Sequence, residues 1–543
     1  MIDQQSPYLL KRLERLNDIG VALSAERDNK RLLEMILLGA QEITNADGGT
    51  LYSITDDKYL KFEIMHNKTL KLAMGGTTGK EIPYLPIPLY MEDGSPNLTT
   101  VAAYATLNDK TVNIRDAYQV DDFDFTGTRK FDVKAGYRSK SFLTIPMKNH
   151  ESEVIAVLQL INAIDINTQE IIPFSQANQS LVESLASQAA VAMTNQNLIE
   201  GFKGLFEAFI EMMAEAIDQK SPYTGGHCRR VPELTMMLAQ AAIDAKEGPL
   251  KDFTLNEKEF YELKIAGWLH DCGKITTPES VMDKPTKLSG IFDRINLLDQ
   301  RFELLKKQTE CEILKQQVEA LKNGQAIDMS ALNAGFEAFK ARCDADRDFL
   351  RNANFGSEMM TEADQQRVID IAAYPLVAEN SELVPFLSEN EVYNLNIVRG
   401  TLTKEEREII NNHIVVTIDM LDSLPYPNGL KRVPEYAGGH HERMDGRGHP
   451  KGLTREQMSI PARVMGIADI FEALTSKDRP YKKAKTLSES LSILGRMKLD
   501  HHIDPDLFDI FVREKVYLQY AQQFLEPEQI DDVDETKIPG YQC

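Results

Sequence analysis

The sequence predicts a multidomain protein that consists of an α+β domain, a long connecting helix and an all-α helical bundle with a helical insertion. Short β-like runs, broken by Gly, Asn and Asp turns, are concentrated before about residue 175. From Ser175 to about Ile217 the pattern is helical without a break, and after Lys220 it is almost wholly helical. The 543 residues suffice for two to four domains, each with its own core.

The composition is that of an ordinary globular protein, with 42% hydrophobic and 27% charged residues. The sequence has no run of 18 apolar residues and its first residues are polar, so we expect neither a membrane span nor a signal peptide. Five scattered cysteines form no CxxC pair, which favours a reducing cytoplasm. The net charge of −22 argues against DNA binding, and an anionic substrate would need metal ions or a local basic cluster.

The α+β domain is predicted over residues 1–195. Residues 10–45 have the apolar periodicity of a helix. The β-like runs that follow are GGTLYSI, YLKFEIMHN, SFLTIPMKN and EVIAVLQLINA. Helices on either side of a small antiparallel sheet make an α+β domain.

The connecting helix is predicted over residues 175–217. Its later apolar residues step by four and three, which is coiled-coil spacing. These residues are Leu198, Phe202, Leu205, Phe209, Met212 and Ala216. Two interpretations remain open: a helix packed on its own domain, or a dimer-forming connector that transmits a signal between domains. The second interpretation predicts a homodimer.

The helical bundle is predicted over residues 205–525, so that it overlaps the connecting helix. Residues 290–395 read as an insertion that forms a protruding helical hairpin, and we find no chemistry in it. Residues 526–543 form an acidic tail that we expect to be loosely ordered.

Candidate metal ligands are concentrated in the bundle, because eight of the ten histidines follow residue 220. Five of them lie in the stretches TGGHCRRV, WLHDCGK, INNHIV and GGHHERMDG. Asp469 interrupts an apolar helix, and a buried carboxylate needs a partner. Imidazole with carboxylate suits Mn, Fe, Zn or Ni, and the lack of thiolates disfavours a structural zinc site. The residue four after His441 is Asp445, which excludes an HExxH zincin.

The stretches LHDCGK, HHERMDGRGHP and ARVMGIADIFEALTSKDRPY, together with KEEREIINNHI, resemble an HD-GYP domain, a branch of the HD phosphohydrolase superfamily. The resemblance implies a hydrolase of cyclic dinucleotides, chiefly cyclic di-GMP. It also implies two divalent ions, with iron or manganese placed before zinc or nickel. One ion would be held by His227, His270, Asp271 and Asp469, and the other by His413, His440 and His441. Asp271 would bridge both ions.

Other residues of these stretches receive supporting roles. Lys274 is expected to be catalytic with Asp271 and to touch a phosphate oxygen, on the assumption that the helix of His270 continues. Glu442 and Asp445 are expected to orient ligands or to form the glycine-rich turn. The family's Gly-Tyr-Pro is Gly-His-Pro here, which puts partner docking or base choice in doubt. Tyr223 stands where some relatives have an acidic residue, which favours two metals over three.

The pattern NIRDAY…FDFTGTRKFDVKAGYRSKSFLTIPM…VIAVLQLINA resembles a GAF domain, in particular those of cyclic-nucleotide phosphodiesterases. The resemblance implies a pocket for a small molecule or a cyclic nucleotide, with Arg138 available to a phosphate and aromatic rings to a base. The candidate lining residues are Asp116, Phe131, Asp132, Tyr137, Arg138, Ser139 and Ser141. In the alternative interpretation the aromatic residues are core and the domain only dimerises.

These expectations combine into a cytoplasmic, homodimeric signalling phosphodiesterase that a GAF ligand regulates, with neither a membrane nor DNA as a partner. A rival hypothesis is a non-catalytic receptor that binds the dinucleotide. A third hypothesis keeps the enzyme but changes the substrate to cyclic GMP-AMP, because nothing in the sequence identifies the base.

Overall fold

The computed structural model describes residues 5–220, 226–324, 328–356, 359–377, 382–477 and 484–542, with side chains from residue 11 onward. It divides into two compact units, Met1–Phe206 and Glu207–Cys543. Within the described residues, no helix is both long enough and apolar enough to cross a membrane.

The first unit is built on an antiparallel sheet. Its strands are β1 (Ala46–Ile54), β2 (Tyr59–Asn67), β3 (Leu72–Gly75), β4 (Ile87–Pro88), β5 (Val112–Ile114), β6 (Phe142–Lys148), β7 (Val154–Ile164) and β8 (Ile171–Ile172). The main path runs β3-β2-β1-β7-β6-β5, while β4 pairs with β2 and β8 pairs with β7. The four runs predicted as strands are β1, β2, β6 and β7, which confirms the predicted α+β class. The four missed strands have only two to four residues each.

Helices cover this sheet. They are α1 (Gln5–Ala25), α2 (Asn29–Thr44), α3 (Val101–Asn108), α4 (Thr126–Ala135) and the first part of α5 (Gln176–Lys220). Alternation along the strands sends Leu51, Leu158 and Leu160 into a core with apolar residues of α1, α2 and α5. Residues on the other face of the strands, such as Tyr52 and Phe142, belong to two smaller clusters.

Helix α5 covers the region predicted as the connecting helix, and the boundary between the two units falls within it. Five of its apolar residues at coiled-coil spacing are exposed in the described part of the chain. Leu198, Phe202, Leu205, Phe209 and Met212 are between 55% and 70% exposed.

The second unit is mainly helical. Its elements are α6 (His227–Asp244), α7 (Glu257–Leu269), α8 (Glu279–Met282), α9 (Ile295–Lys322), α10 (Met329–Phe355), α11 (Glu362–Ala372), β9 (Pro375–Val377), β10 (Leu383–Pro385), α12 (Glu389–Leu395), α13 (Lys404–Asn411), α14 (His413–Asp422), α15 (Val433–Gly438), α16 (Ile460–Thr475), α17 (Leu487–Leu499), α18 (Pro505–Arg513) and α19 (Val516–Phe524). Helix α6 packs on α7, α16, α18 and α19. The short antiparallel pair β9–β10 is an addition to the region predicted to be almost wholly helical.

Residues 290–395 contain more than a hairpin. Helices α9 to α12 share a buried cluster that includes Phe302, Leu350, Val368 and Phe386. Helices α9 and α10 pack on each other, as expected for a hairpin, but α11, the strand pair and α12 complete the core.

The acidic tail is ordered against the second unit, contrary to the prediction. Gln529 is buried and donates from Nε2 to the carbonyl oxygens of Thr475 (2.7 Å) and Lys485 (3.2 Å). Ile538 is also buried. A high acidic content indicated disorder, but these contacts, together with the hydrogen bond from Lys498 to the carbonyl of Gly540, fix the segment.

Candidate metal centre

The seven predicted ligands come together in the second unit from five places in the chain. His227 begins α6, His270 and Asp271 follow the end of α7, and His413 begins α14. His440 and His441 follow α15, and Asp469 lies in α16. Two groups result, each with ligand atoms within 4.8 Å of one another: His227, His270 and Asp271, and His413, His440 and His441.

Backbone carbonyls fix the orientation of three of these imidazoles. The Nδ1–H groups of His270, His413 and His440 donate to the carbonyls of Gly267, Ile410 and Ala437, each three residues earlier in the chain. A proton on Nδ1 leaves a lone pair on Nε2, which is the atom that can bind a metal. In each case the end of a helical turn supplies the acceptor, so local structure selects the tautomer.

In the first group, ligand atoms surround a common point. The Nε2 atom of His227 lies 3.2 Å from Asp271 Oδ2 and 3.3 Å from Asp469 Oδ1. The Nε2 atom of His270 lies 3.2 Å from Asp271 Oδ2 and 3.8 Å from Asp469 Oδ1. Four donors, from α6, from the two residues after α7 and from α16, therefore face one another.

Asp271 connects the two groups, because its Oδ1 lies 3.2 Å from Nε2 of His413. Yet Asp271 Oδ1, His413 Nε2 and His440 Nε2 are buried without a hydrogen-bond partner in the described chain. Buried polar atoms are rarely left unpaired, and several that converge need a common partner. A divalent cation fits this set of nitrogen and oxygen donors.

The protonation states of His440, His441 and Asp271 also suit a cation, whereas Glu472 outweighs burial and holds the pKa of His227 well above its ordinary value. Burial holds the pKa of His440 well below its ordinary value, and it lowers the pKa of His441 to about 4. Burial raises the pKa of Asp271, but Lys274 and His270 outweigh it and hold that pKa well below the usual range. Imidazoles that are neutral and a carboxylate that is ionised are the forms that bind metals.

Lys274 lies at the centre, but it lies on a 3-10 turn and not on the predicted continuation of the helix. Helix α7 ends at Leu269, and residues Cys272–Thr276 form a 3-10 turn, so the helix of His270 does not continue to Lys274. The turn nevertheless directs the Lys274 ammonium to Asp271 Oδ2, at 2.5 Å. Burial lowers the pKa of Lys274, but Asp271 and Asp469 outweigh it and raise that pKa above its ordinary value.

Glu472, which was not among the predicted site residues, is 1% exposed and lies one helical turn after Asp469 on α16. One oxygen of Glu472 accepts the Nδ1–H of His227, and the other accepts from Arg230 Nε at 2.6 Å. His227 has no backbone carbonyl in this role, so a carboxylate orients its ring. A second acid at i+3 from Asp469 in an apolar helix was the available signal.

Glu442 and Asp445 build the corner after the histidine pair. The carboxylate of Glu442 accepts from the backbone N–H groups of Lys451 (2.7 Å) and Leu453 (2.9 Å). Asp445 accepts from Arg443 and from the N–H of Arg447. A Cβ on Gly448 would lie 2.3 Å from the nitrogen of Arg443, so the corner requires glycine there. The carboxylates of Glu442 and Asp445 therefore stabilise the turn by accepting hydrogen bonds from its backbone.

The Gly-His-Pro variant places an imidazole beside the second group. The ring of His449 stacks on that of His441, with ring centroids 5.0 Å apart. Its Nε2 is buried without a hydrogen-bond partner in the described chain. Tyr223, on which the choice of two metals over three depended, lies outside the described residues.

A separate cavity lies in the first unit, and three of the seven predicted pocket residues line it: Phe131, Tyr137 and Ser139. The other four point elsewhere. Asp132 accepts from Ser139 and Tyr118, Ser141 donates to the carbonyl of Ile172, and Asp116 accepts from the N–H of Tyr118. The guanidinium of Arg138 lies over the Tyr118 ring, 4.7 Å from its centroid.

Two family profiles match the chain. The GAF domain profile matches residues 28–193, and the HD domain profile matches residues 389–507. The HD match includes His413, His440, His441 and Asp469, whereas His227, His270 and Asp271 precede it.

Curated proteins with similar sequences include two bacterial enzymes. The 3'3'-cGAMP-specific phosphodiesterase 1 of Vibrio cholerae is 37% identical over 123 residues, which cover 23% of this chain and 27% of that protein. A cyclic di-GMP phosphodiesterase of Pseudomonas aeruginosa is 43% identical over 114 residues, 21% of this chain and 26% of that protein. The chain thus aligns with about a quarter of each relative's length.

Among solved structures, the GAF domain/HD domain protein from Geobacter sulfurreducens matches 32% of this chain and 98% of its own, at 15% identity and a TM-score of 0.23. The GAF domain from an Acinetobacter phosphoenolpyruvate-protein phosphotransferase covers 35% of this chain and 98% of its own, at 14% identity and a TM-score of 0.25.

Proposed function

We propose that this chain, in which an HD domain follows a GAF domain, is a metal-dependent phosphodiesterase that hydrolyses a cyclic dinucleotide and is regulated through its GAF domain. The observation that carries the proposal is the convergence of seven buried or half-buried ligands, three of whose atoms have no hydrogen-bond partner in the described chain. Two of the similar curated proteins are named for the hydrolysis of cyclic GMP-AMP and cyclic di-GMP.

We assign one divalent ion to His227, His270, Asp271 and Asp469, and a second to His413, His440 and His441, with Asp271 between them. The proposed ligands are nitrogen and oxygen atoms, which suit iron or manganese. A structural zinc site would instead be expected to contain thiolates. When bound, the ions would supply Lewis acidity and activate water.

The residues of the chain hold and orient the reacting groups. The carbonyls behind His270, His413 and His440 keep their rings fixed, so the donor set is preorganised. Lys274, a half-buried cation at the centre, is placed to exchange its contact with Asp271 for a phosphate oxygen of the substrate. The chain has a net charge of −22, so the local attraction that a phosphodiester needs would come from Lys274 and the two bound ions.

We propose cyclic di-GMP as the substrate and cyclic GMP-AMP as the alternative. The test incubates the metal-stripped protein, reloaded with Mn²⁺ or Fe²⁺, with cyclic di-GMP, cyclic GMP-AMP and cyclic di-AMP in competition, and resolves the products by chromatography. We expect a linear dinucleotide from one of the first two substrates only when metal is present. Tight binding without any product would instead favour the non-catalytic receptor.

The metal assignment requires the turn that follows Asp271 to pack closely against α14, so that Asp271 and His413 face each other. A Cβ on Gly273 would lie 2.0 Å from the carbonyl oxygen of His413 and 2.6 Å from the nitrogen of Thr417. We therefore expect Gly273→Ala to separate His413 from Asp271, to destabilise the protein by about 1–3 kcal/mol and to reduce the number of bound divalent ions. Mass spectrometry of the metals after dialysis measures that number.

Gly335→Ala is the matched control, because a Cβ there meets nothing within 4 Å and Gly335 lies in α10, outside the centre. It should keep the wild-type metal content. Wild-type content and metal affinity in Gly273→Ala would contradict the assignment of His413 to the shared centre.

We also propose that the chain is a homodimer that transmits the state of the GAF domain through α5. The support is the exposed apolar stripe of Leu198, Phe202, Leu205, Phe209 and Met212, whose spacing suits a parallel coiled coil.

The described cysteines, Cys228, Cys272, Cys311 and Cys343, are unpaired, which supports a reducing compartment such as the cytoplasm.

Phe202→Glu is expected to weaken the dimer by on the order of 100-fold, because a charge would be buried at the centre of the stripe. Sedimentation equilibrium measures the dissociation constant. Ile199→Glu is the matched control, since Ile199 is also 63% exposed but lies off the four–three stripe. Equal dimerisation of both variants would refute a coiled coil built on this stripe.

A further inference from the structure

The cavity in the first unit has the size of a small-molecule site. Its volume is about 500 Å³, and typical ligand pockets span roughly 300–1,000 Å³. It lies on the face of the sheet that bears Tyr52 and Phe142, which is the face opposite the main core. The cavity separates two hydrophobic clusters, one around Tyr52 and Ala102 and one around Phe125 and Phe142.

The walls of the cavity are aromatic. Seven phenylalanine and tyrosine rings line it: Tyr52, Phe62, Tyr84, Phe125, Phe131, Tyr137 and Phe142. The centroid of Phe62 lies 4.8 Å from that of Tyr52 and 5.7 Å from that of Tyr84. The centroids of Phe125 and Phe142 are 5.3 Å apart. An unfilled apolar cavity forfeits dispersion contacts, and a flat ring between such walls recovers them.

The described lining offers an anionic ligand one basic side chain, His66, and burial lowers the pKa of that imidazole. Neither lysine nor arginine is among the described residues that line it, and Asp124 is the acid among them. The two arginines nearest in sequence, Arg129 and Arg138, both lie over the ring of Tyr118. A phosphate buried here would have no charged partner, which is strongly unfavourable.

Polar side chains in the wall already have partners. The hydroxyl of Tyr137 donates to Asp47 at 2.5 Å and accepts from Asn162 at 2.9 Å. Ser139 donates to Asp132 at 2.8 Å, and Gln159 Nε2 donates to Thr144 at 3.0 Å. These internal hydrogen bonds leave mainly apolar surface to a ligand, so specificity comes from shape and stacking.

We infer that this cavity binds an uncharged, flat aromatic molecule, and that cyclic nucleotides are not its ligands. The inference deepens the proposed function, since it names the chemical class of the signal that would regulate the hydrolase. The test of this inference measures ligand binding alone. A lack of phosphodiesterase activity would therefore not contradict the inference, and the presence of activity would not by itself support it.

The experiment titrates the full-length protein with the neutral fluorophore N-phenyl-1-naphthylamine and then adds cyclic GMP or cyclic di-GMP as anionic competitors. Thr128→Trp places an indole in the cavity from a half-buried position on α4. Thr126→Trp is the matched control, two residues away on the same helix and outside the lining. A second blocking variant, Ala102→Phe, fills the cavity from α3.

We expect one dye molecule to bind per chain, and Thr128→Trp to weaken binding at least about tenfold while Thr126→Trp does not. Neither cyclic nucleotide should displace the dye. Hydrolysis is scored separately on the same metal-loaded preparation. Dye binding that both blocking variants leave unchanged would overturn the inference, as would a cyclic nucleotide that displaces the dye from the wild type and loses its own binding in Thr128→Trp.

Discussion

Asp271→Asn is expected to abolish metal-dependent turnover, with a loss on the order of a thousand-fold or more, because Lewis-acid stabilisation is worth several kcal/mol. Asp271 faces both ligand groups, through Oδ2 to His227 and His270 and through Oδ1 to His413. An amide keeps the shape but removes the charge that would bridge two cations. It also leaves the half-buried ammonium of Lys274 without its nearest carboxylate.

The measurements are initial rates with saturating Mn²⁺, the metal content after dialysis and the circular dichroism of the helices. Asp504→Asn is the matched control, because Asp504 is a buried aspartate of the same unit that pairs with Arg455 and Arg463. We expect Asp504→Asn to lose stability and to keep its metals, and Asp271→Asn to lose its metals and stay helical. Turnover by Asp271→Asn at the wild-type rate would remove the basis of the proposed mechanism.

The seven ligands that meet in the structure were named from the resemblance to the HD-GYP family, which rests on the stretches LHDCGK, HHERMDGRGHP and ARVMGIADIFEALTSKDRPY. The four long strands were predictable from alternation alone. Periodicity could not show where α7 ends, since Lys274 lies on a 3-10 turn whose register depends on its approach to α14.

The lining of the GAF cavity was less predictable, because aromatic and basic residues near one another in the sequence turn to different sides. Phe131 faces the cavity, whereas Arg138 stacks on Tyr118. The orientation of each side chain depends on long-range contacts, such as the hydrogen bond from Tyr137 to Asp47 on β1, which is distant in the chain. The resemblance therefore implied a phosphate contact for Arg138 that the packing directs elsewhere.

Glu472→Gln is expected to lower the affinity of the first ligand group for metal by about 10–100-fold, the usual effect of losing a carboxylate behind a metal-binding histidine. A carboxylate only accepts hydrogen bonds, so it holds the proton of His227 on Nδ1 and leaves Nε2 free. A glutamine amide can donate to Nδ1 instead, and the proton then moves to Nε2 and blocks the ligand atom.

This effect is separable from loss of folding. Glu391→Gln is the matched control, because Glu391 is also a buried glutamate that accepts from an arginine, Arg301, but it lies outside the centre. A chelator competition measures affinity, and turnover is followed against Mn²⁺ concentration. We expect Glu472→Gln to recover turnover at high Mn²⁺, because the donors are intact and only the balance of tautomers has changed. If excess metal restores nothing while the protein stays folded, Glu472 does more than orient His227.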